Sequence, residues 1–195
     1  ALNKNFDVQL VVTQPDKPVG RKKQIILSPV KEYCIGKNLN CIQPKKIKNN
    51  QELLDTLRKK NPDIICVAAY GKILSKEILE IPKIGCINIH ASLLPKFRGA
   101  SPISRAIIDG EIETGITLMK MDVGMDTGDI ISKSKLNIDK TDTTLSLTNK
   151  LADLGAEEII KLFKKLSIKP KLSLTKQDDR LASLAPKMEK KDGII

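Results

Sequence analysis

Short apolar runs alternating with helical patterns predict an α/β fold: a Rossmann-like, mainly parallel sheet with flanking helices, ending in an extended linker. Three observations point there. The runs at Val8 to Val12, Ile64 to Ala69 and Cys86 to Ile89 have the length and β-branched content of buried strands. Segments with helix-start residues and a 3.6-residue apolar period lie between them. Finally, the 195 residues are 41% apolar, which supports a sizeable core and excludes global disorder.

The elements follow in order. Asp7 to Thr13 reads as a buried strand. Gln14 to Gln24 breaks the pattern with Pro15, Pro18 and Gly20, and reads as a loop. Ser28 before Pro29 predicts a helix start, with proline at the first helical position. Asn50 is placed to cap a second helix bearing Leu53, Leu54 and Leu57. D-I-I-C-V-A-A, residues 63–69, fits a strand buried on both faces, ended by Tyr70-Gly71. A short helix from about Ser75, a strand from Gly85 to His90 and a helix from Ser101-Pro102 to Gly110 come next. Past Gly115, Ile116 to Asp122 and Asp129 to Ile138 form two strands joined by V-G-M-D-T-G. A long helix with Leu151, Leu154, Ile159 and Leu166 on its apolar side completes the domain. Residues 1–168 are thus one domain and 169–195 a linker, with no internal repeat. A doubly wound sheet ordinarily has a strand ahead of Ala1, so the expectation is a chain cut at both ends, with a gap in its sheet.

Composition narrows the setting. No apolar stretch approaches the roughly 20 residues of a membrane helix, and no secretory signal is expected. Cys34, Cys41, Cys66 and Cys86 form no C-x-x-C pair, which argues against a zinc site or a redox dithiol. A reducing, cytoplasmic setting and a monomer away from membranes are expected. The net charge of +11 favours a polyanionic partner such as nucleic acid. A chain rich in Lys, Asn and Ile also reaches such a charge with no ligand at all.

The chemistry-bearing residues sit late in the pattern. Side chains alternate along a strand, so in G-C-I-N-I-H Ile87 and Ile89 share one face and Cys86, Asn88 and His90 the other. His90 falls at the carboxyl end of its strand, where open α/β sheets bind ligands. An asparagine amide can donate to a developing oxyanion, and an imidazole can exchange a proton near neutral pH. His90 is the only histidine. The loop M-D-V-G-M-D-T-G-D supplies Asp122, Asp126 and Asp129, any of which could orient the imidazole. From pattern alone, a structural histidine and an ordinary hairpin turn built of Asp and Gly are the favoured readings. A calcium loop lacks its D-x-D-x-D-G form.

Taken together, N-I-H-A-S-L-L-P-K-F-R-G-A-S-P-I and M-D-V-G-M-D-T-G-D-I resemble the folate-dependent formyltransferases. The resemblance implies the formyltransferase fold and a catalytic triad of Asn88, His90 and Asp126. It implies 10-formyltetrahydrofolate as donor, bound near Tyr70, Gly71, Ser92, Leu93, Leu94 and Pro95. T-Q-P-D-K-P-V-G-R-K-K-Q, Thr13 to Gln24, is similar to the loop with which one branch reaches the acceptor end of initiator methionyl-tRNA. That places Arg21, Lys22 and Lys23 against tRNA. Lys17 and Lys22 depart from the Arg and Gly more common there. L-A-P-K-M-E-K-K-D-G-I-I resembles the linker ahead of the family's C-terminal OB-like domain. Formylation of another amine, on a nucleotide or a sugar nucleotide, remains an alternative, as does a non-catalytic RNA-binding module. A dinucleotide enzyme has no visible G-x-G-x-x-G.

Overall fold

A computed structural model describes residues 1–19 and 24–193. The strands are β1 (Val11–Val12), β2 (Lys17–Val19), β3 (Gln24–Ile26), β4 (Cys41–Ile42), β5 (Ile64–Ala68), β6 (Gly85–His90), β7 (Glu113–Lys120) and β8 (Ile130–Asn137). The helices are α1 (Pro29–Gly36), α2 (Gln51–Lys60), α3 (Lys76–Leu79), α4 (Pro102–Ile108) and α5 (Thr144–Ile168). The helix starts match the sequence signals. Ser28 Oγ accepts from Lys31 N at 3.2 Å, and Asn50 Oδ1 from Leu53 N at 3.0 Å. Thr143 and Ser146 close a reciprocal capping box on α5. Lys150, Ser146 and the Asp139 backbone hold the neighbouring Asp142 carboxyl down to about 2.

Two parallel ladders carry the α/β part. β1 pairs with β4, and β5 pairs with β6. The β5-β6 ladder is extended by β7 and β8, both antiparallel, into a four-stranded sheet in the order β5-β6-β7-β8. Among the described residues no ladder joins the β1-β4 pair to β5. Three readings need correction. The first strand forms a ladder only at Val11–Val12, not from Asp7. The segment after it is not all loop, because β2 and β3 pair antiparallel through Lys17↔Ile26 and Pro18↔Ile25. β5 is half-buried rather than buried on both faces, because it is the edge strand of its sheet.

The faces of β6 separate two cores. Ile87 packs with Ile116, Leu118 and the α5 residues Leu147, Leu151, Ile159 and Leu166. Cys86 packs on the other side with Leu53 and Leu57 of α2 and Ile78 of α3. Burial pushes the thiols of Cys66 and Cys86 up to about 12, as befits core sulfhydryls rather than nucleophiles. Where β7 meets β8, Gly115 lies across from Lys135. A Cβ there would stand 2.1 Å from the Ser134 carbonyl oxygen and 2.7 Å from Leu93 Cδ2. Gly115→Ala is therefore expected to destabilise the protein by about 1–3 kcal/mol through overpacking. A urea-unfolding midpoint equal to wild type would show that the ladder opens freely at this point.

The extended stretch past α5 is docked, not free. Thr175 exchanges two backbone hydrogen bonds with Ile130, at 2.8 and 2.9 Å. Further on, Arg98 N donates to Ser183 O at 2.8 Å and Ala185 N to Arg98 O at 2.7 Å. Ala185 is fully buried against Phe97 and Ala106 of α4. This strap runs behind the segment that links β6 to α4. No helix among the described residues is long and apolar enough to cross a membrane.

Candidate active site

β6 sets the site by its alternation. Its Ile87 points into the α5 core, so Asn88 and His90 project from the opposite face. β7 runs antiparallel to it, with Asn88 opposite Met119 and His90 opposite Thr117. Lys120 therefore lies opposite Ile87, beyond Asn88, and the chain leaving β7 heads away from His90. The 121–129 turn must double back along the face of β6 to reach the imidazole. Three features let it. The β7-β8 register shifts between Leu118 and Met119, a bulge that re-aims the chain. Asp122 ties the turn to itself, accepting from Gly124 N at 3.0 Å and from Thr127 Oγ1 at 2.8 Å. Asp126 itself takes a left-handed backbone, φ +54°, which Asp tolerates better than most residues.

The result is a compact polar centre. Asp126 Oδ1 lies 3.6 Å from His90 Nδ1 and accepts from Asn88 Nδ2 at 3.4 Å. Its Oδ2 accepts from Gly99 N at 2.9 Å. His90 Nε2 is 2.9 Å from the Phe97 carbonyl oxygen. A carbonyl only accepts, so Nε2 carries a proton and Nδ1 is the ring nitrogen turned toward Asp126. The histidine is 5% exposed, so nearly all of its environment is protein. The Asn88 amide and the Nδ1 edge of the imidazole converge on one carboxylate oxygen. That convergence is what a developing oxyanion requires, and it comes with a carboxylate in reach of the proton. Of the three loop aspartates the structure brings Asp126 to the histidine, while Asp122 is spent on the turn.

The other residues marked in the sequence divide. Ser92 is fully buried, with Oγ donating to Lys96 O at 2.6 Å and its carbonyl accepting from Thr117 Oγ1 at 2.6 Å. Leu94 is also fully buried, against Met119 and Ile130, and its N–H goes to Thr117 Oγ1 at 3.0 Å. Leu93 and Pro95 are half-buried. Leu93 lines a cavity of about 180 Å³ with Lys96, Phe97, Glu111, Glu113 and Thr114. Another cavity, of about 360 Å³ between α2 and α3, shares no residue with the triad. Tyr70 is half-buried, and burial raises its phenol. Its hydroxyl has no hydrogen-bond partner among the described residues. Gly71 beside it is exposed, φ +68°. Arg21, Lys22 and Lys23 lie outside the described residues.

Sequence reasoning missed several polar residues that brace these elements. Gln14 Nε2 donates to Tyr70 O at 2.7 Å, which ties the loop after β1 to the end of β5. Gln43 Nε2 donates to Asp16 Oδ1 at 2.7 Å and to Gln14 O at 2.9 Å. Gln43 and then Lys31 hold the Asp16 carboxyl below its usual range. Arg98, 7% exposed, binds Gln177 and Asp179. These partners are far apart in the chain, and no local pattern announces them.

The fold is thus an antiparallel extension on a parallel βαβ core, with an Asn–His pair at a strand end and an aspartate returning to it. Residues 2–163 match the formyl transferase family model, and the chain belongs to that family. Its relatives narrow the likeness. It is 52% identical over 190 residues to the methionyl-tRNA formyltransferase of Caldicellulosiruptor saccharolyticus, an alignment covering 97% of this chain and 60% of that protein. It is 43% identical over 190 residues to the methionyl-tRNA formyltransferase of Neisseria gonorrhoeae, covering 97% and 62%. The chain thus spans about three fifths of the length of these curated relatives. Among solved structures, phosphoribosylglycinamide formyltransferase from Bacillus halodurans superposes with a TM-score of 0.71 at 26% identity, covering 85% of this chain and 84% of that one. Glycinamide ribonucleotide transformylase 1 from Geobacillus kaustophilus gives 0.63 at 28% identity, covering 78% and 79%.

Proposed function

We propose that this chain carries the catalytic centre of a methionyl-tRNA formyltransferase, transferring the formyl group of 10-formyltetrahydrofolate to the α-amine of initiator methionyl-tRNA in the cytoplasm, as a monomer. The observation that carries the reading is the approach of Asp126 Oδ1 to His90 Nδ1, 3.6 Å, with Asn88 on the same oxygen. Likeness to the tRNA-acting relatives, at 52% identity, favours this acceptor over nucleotide and sugar amines. In the reaction the amine nitrogen bonds to the formyl carbon, and the carbonyl electron pair moves onto oxygen. Asn88 and cationic His90 would hold that oxyanion. Asp126, directly or through a water, would accept the proton released by the amine nitrogen. Collapse then breaks the bond to the folate nitrogen, which leaves with a proton.

The donor's heterocycle would lie near Tyr70, Gly71 and the turn Ser92, Leu93, Leu94 and Pro95. The unpartnered Tyr70 hydroxyl is a polar group fit to meet it. Ser92 and Leu94 would support that wall from inside, since both are buried. Arg21, Lys22 and Lys23 would contact the tRNA backbone and acceptor end. Residues 1–168 would be the catalytic domain, and 169–195 the lead toward a further RNA-holding domain.

The test is a formylation assay with 10-formyltetrahydrofolate against methionyl-tRNA, glycinamide ribonucleotide, an amino-sugar nucleotide and water. Preference for methionyl-tRNA is expected. Transfer to one of the others moves the assignment to that acceptor, and tRNA binding without transfer to any leaves a binding module. Arg21→Ala should weaken tRNA affinity and reduce the slope of log affinity against log salt by about 1. An unchanged slope would remove Arg21 from the phosphate contacts.

A further inference from the structure

We infer that Gln177, on the strap that follows α5, is a positioning residue for the turn bearing Asp126; the inference rests on the formyl-transfer reading of that site. The Asp126 backbone stands in the left-handed region, φ +54°, where a non-glycine residue persists only when its surroundings hold it. Gln177 supplies that hold. Its Nε2 donates to the Asp126 carbonyl at 2.8 Å and to the Gly128 carbonyl at 2.8 Å. Its Oε1 accepts from Arg98 Nε at 3.0 Å and Nη2 at 2.8 Å. Both donors and both lone pairs of the amide are therefore engaged, a full complement that fixes its rotamer.

The brace is itself anchored on both sides. Thr175 is paired in backbone with Ile130 ahead of Gln177, and Ser183 and Ala185 with Arg98 after it. Arg98 is buried and extends the chain of contacts to Asp179 Oδ1 at 2.8 Å. Arg98 also precedes Gly99, whose N–H binds Asp126 Oδ2 at 2.9 Å. Asp126 is consequently held twice from one assembly: its carboxylate by the backbone at Gly99, its peptide by Gln177. A purely structural strap would need neither of the two bonds that reach the turn. Those bonds set where Oδ1 sits relative to Nδ1, and a gap of 3.6 Å leaves little room for drift.

The lone histidine gives a direct readout. His90 is the only histidine in the chain, so its ring nitrogens give isolated ¹⁵N signals. The signals are recorded for the 195-residue chain as wild type, Asp126→Asn, Gln177→Glu and Gln177→Met. Glutamate keeps an acceptor for Arg98 and removes the two N–H donors; methionine removes both functions at similar length. Both Gln177 variants should displace the ring signals at least half as far as Asp126→Asn does. Turnover should fall about tenfold or more with KM for donor and acceptor changed less than about twofold, as a small misplacement of a reacting group predicts. Ring signals at their wild-type positions in a folded Gln177 variant, with Asp126→Asn displaced, would overturn the inference. Should the methionine variant not fold, the glutamate variant decides by the same criterion. If Asp126→Asn leaves the ring unmoved, the Asp126–His90 pairing itself fails and takes the inference with it.

Discussion

Replacing His90 with alanine is expected to slow formyl transfer at least about 10²–10³-fold, the usual loss when one donor to an oxyanion is removed. Folate affinity should change little, because the polar partners of the imidazole are Asp126 and Phe97 and not the residues proposed to line the donor site. The variant carries a structural cost that must be separated from the chemical one. His90 is 5% exposed and its Nε2–H satisfies the Phe97 carbonyl, so alanine leaves a buried acceptor without its partner, worth about 1–3 kcal/mol. His90→Gln resolves the two. A glutamine amide nitrogen can take the place of Nε2 against Phe97 but cannot become a cation opposite Asp126. Stability should therefore return toward wild type in His90→Gln while turnover stays low. Recovery of turnover with stability would reduce His90 to a strut beneath the β6–α4 segment, and the oxyanion role would pass to Asn88 alone.

Strand alternation alone placed Asn88 and His90 on one face, because β6 is regular and its two faces belong to different cores. The choice of Asp126 over Asp122 and Asp129 had no local basis and came from the family motif. In the structure Asp126 stands beside His90, while Asp122 binds Gly124 and Thr127 within its own turn. Helix starts at Ser28 and Asn50 were legible, as caps depend on neighbours within three residues. β4 was not legible: Cys41–Ile42 is a two-residue ladder in a polar surround, defined by its partner β1. The β2-β3 pair was hidden for a related reason. Lys17, Pro18 and exposed Ile25 and Ile26 bury little, so no alternation marks them. Gln177 lies 51 residues from Asp126 in the chain, and a contact of that span leaves no trace in composition or period.

Asp126→Asn should also lower turnover by at least about 10²-fold, within the ~10²–10⁴ range of positioned proton transfer, and with less structural disturbance than any other change in the triad. Asparagine is the other residue that readily occupies the left-handed region, so the φ of +54° is kept. Its side-chain oxygen can still accept from Gly99 N, now at 2.9 Å from Oδ2, and its backbone carbonyl remains available to Gln177. What disappears is the negative charge facing Nδ1, the acceptor for the Asn88 amide, since the new NH2 takes the place of Oδ1, and any capacity to take a proton from the attacking amine. Alanine at this position would mix that loss with backbone strain and an unsatisfied Gly99 N–H, so asparagine is the cleaner probe. A thermal midpoint close to wild type, donor affinity retained and turnover lost would assign the effect to the carboxylate. Wild-type turnover in the asparagine variant would mean that the 3.6 Å approach to His90 is a packing contact, and the proton would need another acceptor. Asp122→Asn serves as the contrast. It stands in the same turn and, among the described residues, binds only Gly124 and Thr127, so its effect on turnover should be much smaller.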